Sequence, residues 1–189
     1  SIVPSPCPRQ VLVDVSELVQ RDSRSGIQRV VRATLHEWLR NTPTGYRIEP
    51  VYATEGEPGY RYARRFVLSS LGCPDNVLRD DPVSYRAGDH FIGLDLQPAV
   101  VPAQREYFRA MRRAGVDVRF VVYDLLPIHL PHCFFEGAAA TMQAWLDVVG
   151  ESDGVIAISR SVAQEFREWF ERRGTPLPPA FKTDWFHLG

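Results

Sequence analysis

The sequence predicts an α/β fold: a Rossmann-like, mostly parallel sheet with helices on both faces. Three observations carry that expectation. Short apolar runs rich in β-branched residues alternate with segments of helical period along the 189 residues. Most of those runs are apolar on both faces, as strands covered by two helical layers are. Glycines at 115, 150 and 174 close three of the helical segments.

The elements follow in order. "VLVDVSEL" (11–18) reads as a buried strand. Ile27, Val30, Val31, Thr34, Leu35, Trp38 and Leu39 then recur at helical spacing, and Ser25 with Gln28 forms a capping-box pair that starts this helix. "RIEPVYAT" (47–54) is a second strand, although Pro50 sits awkwardly in it. Residues 55–88 are rich in Gly, Pro, Arg and Tyr without a period, and read as a long excursion with room for one short helix. "DHFIGLDL" (89–96) is a third strand. A helix with Pro102 near its first turn ends before Gly115. "VDVRFVVYDL" (116–125) is a fourth strand, ending in the turn-like "LPIHLP". Ala138, Met142, Trp145, Leu146 and Val149 line one face of the next helix. "GVIAIS" (154–159) is a fifth strand, and Val162, Phe166, Trp169 and Phe170 mark the core face of the helix after it. "FKTDWFHLG" is a candidate sixth strand.

Composition sets the outer bounds. The chain is 44% hydrophobic and 24% charged, with a net charge of −1, which is ordinary for a globular protein. The length suits one domain with its own core. A near-neutral balance gives no global attraction to nucleic acid or anionic lipid. Cys7, Cys73 and Cys133 are dispersed and odd in number, which disfavours a disulfide framework or a zinc site and fits a reducing cytoplasm. The opening "SIVPSPCPRQ" lacks the layout of a signal peptide, and its Ser in place of Met fits a trimmed chain. No run of about 18 apolar residues occurs.

In such sheets ligands gather at the carboxyl ends of the strands, so the strand-to-helix turns hold the candidate residues. "SRSGIQR" places Gly26 beside the N–H groups that open a helix, with Arg29 one turn in. That seam is either an anion or hydroxyl site or a tight turn followed by a solvated arginine. Asp95 and Asp124 each end an apolar run; they either face one cleft together or cap the turns that follow. Tyr123 is a ligand contact or a core aromatic. Ser159, followed by Arg160, is a helix cap whose helix N-terminus is also open to a polar ligand. His129 and His132 read as exposed loop residues. Neither a G-x-G-x-x-G nor a Walker A sequence is present, nor a G-x-S-x-G elbow, which disfavours a dehydrogenase, a P-loop NTPase and an α/β-hydrolase.

Taken together, "VDVSEL", "SGIQRVVR", "PVY", "GDHFIGLDL", "VVYDLLPIHLP", "DGVIAISRSVAQEF" and "FHLG" resemble the bacterial family 4 glycosyltransferases. The branch they are most similar to is the mannosyltransferase-type enzymes of O-antigen and exopolysaccharide assembly. The resemblance implies the GT-B architecture of two Rossmann-like domains, with residues 1–189 as the amino-terminal, acceptor-side domain and the nucleotide-sugar domain absent. It implies retaining transfer of a hexose such as mannose from GDP-mannose to a glycan or lipid-linked acceptor, in the cytoplasm or at the inner face of the membrane. No metal or other cofactor is expected, and this fragment alone is expected to be inactive. Carried over by position, Gly26 matches the glycine of the first strand-to-helix loop, and Asp95 stands where relatives place a histidine or acidic residue near the reacting sugar. Tyr123 and Asp124 match a histidine–aspartate pair, with tyrosine replacing the imidazole, and Ser159 matches a serine opening the following helix. The resemblance thus casts Asp95 and Asp124 as catalytic and Ser25, Gly26, Arg29, Tyr123, Ser159 and Arg160 as substrate-binding.

Two other readings compete. One is a non-catalytic α/β ligand-binding or regulatory module. The other is a membrane-surface adaptor using "YRYARRF" (60–66), which mixes arginines with aromatics.

Overall fold

A computed structural model describes residues 8–21 and 23–187, so Cys7 and the final "LG" of the closing motif lie outside the described residues. The first strand, β1 (Arg9–Asp14), is shorter than its apolar run. Asp14 accepts the Ser16 N–H at 2.9 Å, and Asp95 accepts the Leu18 N–H at 3.0 Å. Those bonds turn the expected end of the strand into a single-turn helix, α1 (Ser16–Gln20). α2 (Gly26–Arg40) begins at its expected cap, where the Ser25 hydroxyl accepts the Gln28 N–H at 3.2 Å. The return half of the capping box is not made, because the Gln28 amide donates to the Arg21 carbonyl at 2.6 Å.

β2 (Tyr46–Tyr52) runs parallel to β1 and carries Pro50 in its interior. The Pro50 carbonyl accepts from Ala63 N, so its missing N–H also points to the side of β3. β3 (Arg61–Tyr62) is only two residues long and begins pairing at Val51, so the proline removes no ladder bond there. The excursion over 55–88 therefore holds an antiparallel edge strand as well as one helix, α3 (Arg64–Ser70).

β4 (His90–Gly93) returns to pair with the other side of β1. The helix expected after it is two pieces, α4 (Val100–Ala103) and α5 (Arg105–Arg113), joined at Gln104. Gly115 adopts φ +85° just past α5, a conformation that favours glycine. β5 (Asp117–Val122) is followed by a short helix, α6 (Leu126–His129), and a 3-10 turn over Pro131–Cys133 where only a turn was expected. α7 (Ala138–Val149), β6 (Gly154–Ala157), α8 (Arg160–Arg172) and β7 (Lys182–Trp185) complete the chain.

The sheet order is β3-β2-β1-β4-β5-β6-β7, all parallel except the β2–β3 pair. The Rossmann-like expectation holds. Strand order reverses between β1 and β4, and it is at the carboxyl ends of strands at such a switch that sheets of this kind hold a crevice.

One face is packed by α5, α7 and α8. The Phe108 ring centroid lies 5.2 Å from those of both Phe91 and Phe120, tilted to the first and edge-on to the second, and Phe120 meets Trp145 edge-on. Gly93 allows this approach, because a Cβ there would lie 2.2 Å from the Phe120 ring. Val31 and Leu35 of α2 cover Val13 and Ile92 on the other face, while Leu39 of the same apolar stripe stays exposed. Beside α2 that face keeps a groove lined by Trp38, Val121, Ile156 and Phe186.

Tyr60 and Tyr62 are buried, and Arg64 pairs with Asp81 at 2.6 Å. The 60–66 segment thus turns two of its three aromatic side chains inward, which removes them from the membrane-facing surface the adaptor reading needs. Cys73 and Cys133 are free and exposed.

Candidate functional site

The chain ends β1 with an acidic residue, and the fold brings a second acid from the β4 turn over it. Asp14 is fully buried and Asp95 is 2% exposed. The Asp14 carboxylate accepts from Ser16 N, from the Ser16 hydroxyl and from the Tyr60 phenol at 2.9 Å. Asp95 accepts from Leu18 N and, at 3.1 Å, from Leu96 N, while its own N–H donates to the Asp14 carbonyl. Among the described residues neither carboxylate has an ion-pair partner. Gln97 donates to Glu17 across the same turn.

Burial pushes the Asp14 carboxyl up to about 6, against the pull of its Ser16 and Tyr60 hydrogen bonds. Burial first, and the Asp14 charge second, push Asp95 up to about 7. Near neutral pH Asp95 keeps a large share of its proton, so it can donate as well as accept a hydrogen bond. A buried acid poised in this way at a strand-order switch is the kind of group that active sites hold.

Beyond α1 the chain turns into α2. Gly26 is exposed and a Cβ built on it would meet nothing within 4 Å. Its φ is not positive, so glycine is not required by the backbone; what it provides is open space over the helix start. The N–H groups of the first helical turn have no intrahelical acceptor and carry the positive end of the helix dipole. Arg29 is exposed one turn on. Arg24, in the turn before, holds φ +50° without being glycine, a conformation that costs about 1 kcal/mol.

The remaining candidates separate from this centre. Asp124 is half-buried and accepts at 3.0 Å from the N–H of Leu126, the first residue of α6. Tyr123 is buried, and its phenol donates to the Leu94 carbonyl at 2.8 Å. Its hydroxyl therefore braces the β4 turn, and burial with the Asp95 charge raises its pKa. Ser159 caps α8 by accepting from Val162 N at 3.2 Å, and Arg160 is exposed beside it. His129 lies 3.5 Å from Glu165 on the surface. Among the described residues no three His, Cys, Asp or Glu side chains group to hold a metal, and no helix is long and apolar enough to cross a membrane.

Asp14, Ser16 and Tyr60 were not singled out from sequence. Asp14 stood inside the run 11–18 that reads as one strand, so nothing marked it as a strand end. Tyr60 lay in the "YRYARRF" segment, whose mix of arginines and aromatics pointed to a surface and not to a buried acid.

The fold defines a doubly wound α/β domain whose strand order reverses between β1 and β4. No protein-family model matches the chain. Curated proteins do: three forms of the serotype-specific mannosyltransferase WbdA of Escherichia coli are 38%, 37% and 35% identical to it over 184 residues. The match takes in 96% of this chain and 22% of each relative, so the chain spans about a fifth of their length. The glycosyltransferase resemblance read from the motifs agrees with these relatives.

Proposed function

We propose that this chain is the acceptor-side, Rossmann-like domain of a GT-B mannosyltransferase that works in surface-polysaccharide synthesis. The observation that carries this reading is identity of 35–38% to mannosyltransferases along 96% of the chain. The crevice between β1 and β4 supports it. Gly26 leaves room for a phosphate or sugar at the start of α2, and Arg29 adds a guanidinium that pairs with anionic oxygens.

In this reading GDP-mannose gives up mannose with retention of configuration to a glycan or lipid-linked acceptor at the cytoplasmic face of the membrane. The leaving diphosphate is stabilised electrostatically by the α2 N-terminus and Arg29. Asp95, with its proton retained near neutral pH, holds a sugar hydroxyl by donating to it or accepting from it. Asp124, Ser159 and Arg160 stand at the ends of β5 and β6, apart from the two buried acids, and extend the same sugar-binding edge of the sheet. The nucleotide-sugar half is supplied by a second domain outside this chain, and this chain alone turns over nothing.

The test compares this chain with the full-length protein, using GDP-mannose and a mannose-terminated oligosaccharide. Transfer by the full-length protein, with the anomeric configuration of donor and product matching by NMR, supports the reading. Absence of transfer, or inverted configuration, overturns the class or the mechanism respectively. Turnover by this chain alone overturns its assignment as a half-enzyme.

A further inference from the structure

We infer that Gln104 is a positioning residue for the sugar acceptor, because it holds the 54–59 loop as a fixed wall of the crevice; this rests on the transferase reading above. Gln104 sits at the junction of α4 and α5 and is 2% exposed. Its side-chain carbonyl accepts the Gly59 N–H at 2.7 Å. Its amide donates to the Thr54 carbonyl at 2.9 Å and to the Glu57 carbonyl at 2.8 Å. One buried side chain thus ties together both ends and the middle of a loop whose residues Glu55–Pro58 are exposed.

The position itself does not call for glutamine. Val100, Val101 and Phe108 around it in sequence are core residues, and an apolar side chain would pack there. A buried amide costs free energy unless its polar atoms are satisfied, and here all three bonds go to the loop backbone. Such a loop would otherwise belong to the least stable part of the molecule.

The loop is fixed to the crevice at its two ends. Ala53 donates its N–H to the Ser16 hydroxyl at 2.9 Å and accepts from the Gln20 amide at 2.8 Å. The Tyr60 phenol donates to Asp14. Gly59 holds φ +89° with its α-carbon against the Tyr107 ring, where a Cβ would come within 3.2 Å. The loop therefore adjoins α1 and the Asp14–Asp95 pair, while Gly26 and Arg29 lie past the next turn on α2. Its place beside the acids rather than at the helix start assigns it to the acceptor and not to the donor phosphates.

The experiment uses the full-length protein with Gln104→Leu, which keeps the approximate volume without the bonds, and Gln104→Glu, which keeps the acceptor for Gly59 N and loses both donors. KM for the oligosaccharide is expected to rise roughly fivefold or more in Gln104→Leu and at least as much in Gln104→Glu, whose carboxylate faces the Thr54 and Glu57 carbonyls, with KM for GDP-mannose within about twofold of wild type. Limited proteolysis is expected to cut faster within 54–58 in both variants. Unchanged acceptor KM in a folded Gln104→Leu overturns the inference, as does a matched rise in both KM values. Should that variant fail to fold, unchanged acceptor KM and unchanged cleavage in Gln104→Glu overturn it equally. If the wild-type protein transfers no sugar, the function proposed above falls, and the cleavage pattern still decides whether Gln104 fixes the loop.

Discussion

The same strands carry buried acids at both ends, and the two ends treat them oppositely. At the amino end, Asp89 is fully buried and accepts from Gln10 N at 2.8 Å, the Gln10 amide at 3.1 Å and Arg86 N at 2.9 Å. The Arg86 guanidinium lies 4.0 Å away. At the carboxyl end, Asp14 and Asp95 are as deeply buried but, among the described residues, crowd each other without a cation, and their carboxyls are pushed up to about 6 and 7. A paired, nitrogen-rich setting makes Asp89 a staple that fixes the β1 and β4 starts. The unpaired setting leaves the other two acids holding protons closer to neutral pH, a property that functional sites use.

Four predictions press on that contrast. The largest effect is expected at the staple. Asp89→Ala leaves the Gln10 and Arg86 amides without their acceptor and should cost about 3 kcal/mol or more in chemical denaturation. A loss below 1 kcal/mol would erase the distinction between the ends.

The second concerns pH. Unfolded aspartates hold protons only below about 4, whereas folded Asp14 and Asp95 hold theirs to about 6 and about 7. The folded state thus binds more protons across that window, so stability should be highest near pH 4 on this account and fall as pH rises toward 7, by on the order of a few kcal/mol. Asp95→Asn should flatten the upper part of this slope. Denaturant midpoints across the pH series check it, and a wild-type slope of the opposite sign would refute the unpaired-acid account.

Third, Arg29→Ala in the full-length protein should raise the KM for GDP-mannose about tenfold, the scale of one charged hydrogen bond, with an unchanged unfolding midpoint. A fall in stability with no KM change would make Arg29 an ordinary surface residue. The smallest effects belong to the caps. Ser25→Ala and Ser159→Ala should each cost about 1 kcal/mol, and they should do so equally if neither hydroxyl is held by anything except Gln28 N and Val162 N.

Much of the fold was legible because periodicity reports burial directly. The apolar stripe Ala138, Met142, Trp145, Leu146 and Val149 is buried as read, and Ser25 and Ser159 cap the helices they were expected to open. Boundaries went astray where a side chain from elsewhere intervened. Residues 15–18 look like strand, yet Asp95 reaches across 77 positions to cap them as helix. β3 escaped notice because two residues on an edge leave no alternating pattern.

The site divides along the same line. The acids after β4 and β5, the glycine opening α2 and the arginine after it could be picked out because strand ends and helix starts are local features; the acid closing β1 could not, because the apolar run continues past it. Their partnership is not local. Asp14 meets Tyr60 across 46 positions, and Gln104 meets its loop across 45 to 50. By itself the sequence determined the α/β alternation, the helix caps and the ends of the sheet at which polar residues collect. Only the tertiary structure decided which acids lie unpaired together, which one is stapled, and which tyrosines turn inward, because desolvation and pairing depend on segments far apart in the chain that meet only once the sheet has formed.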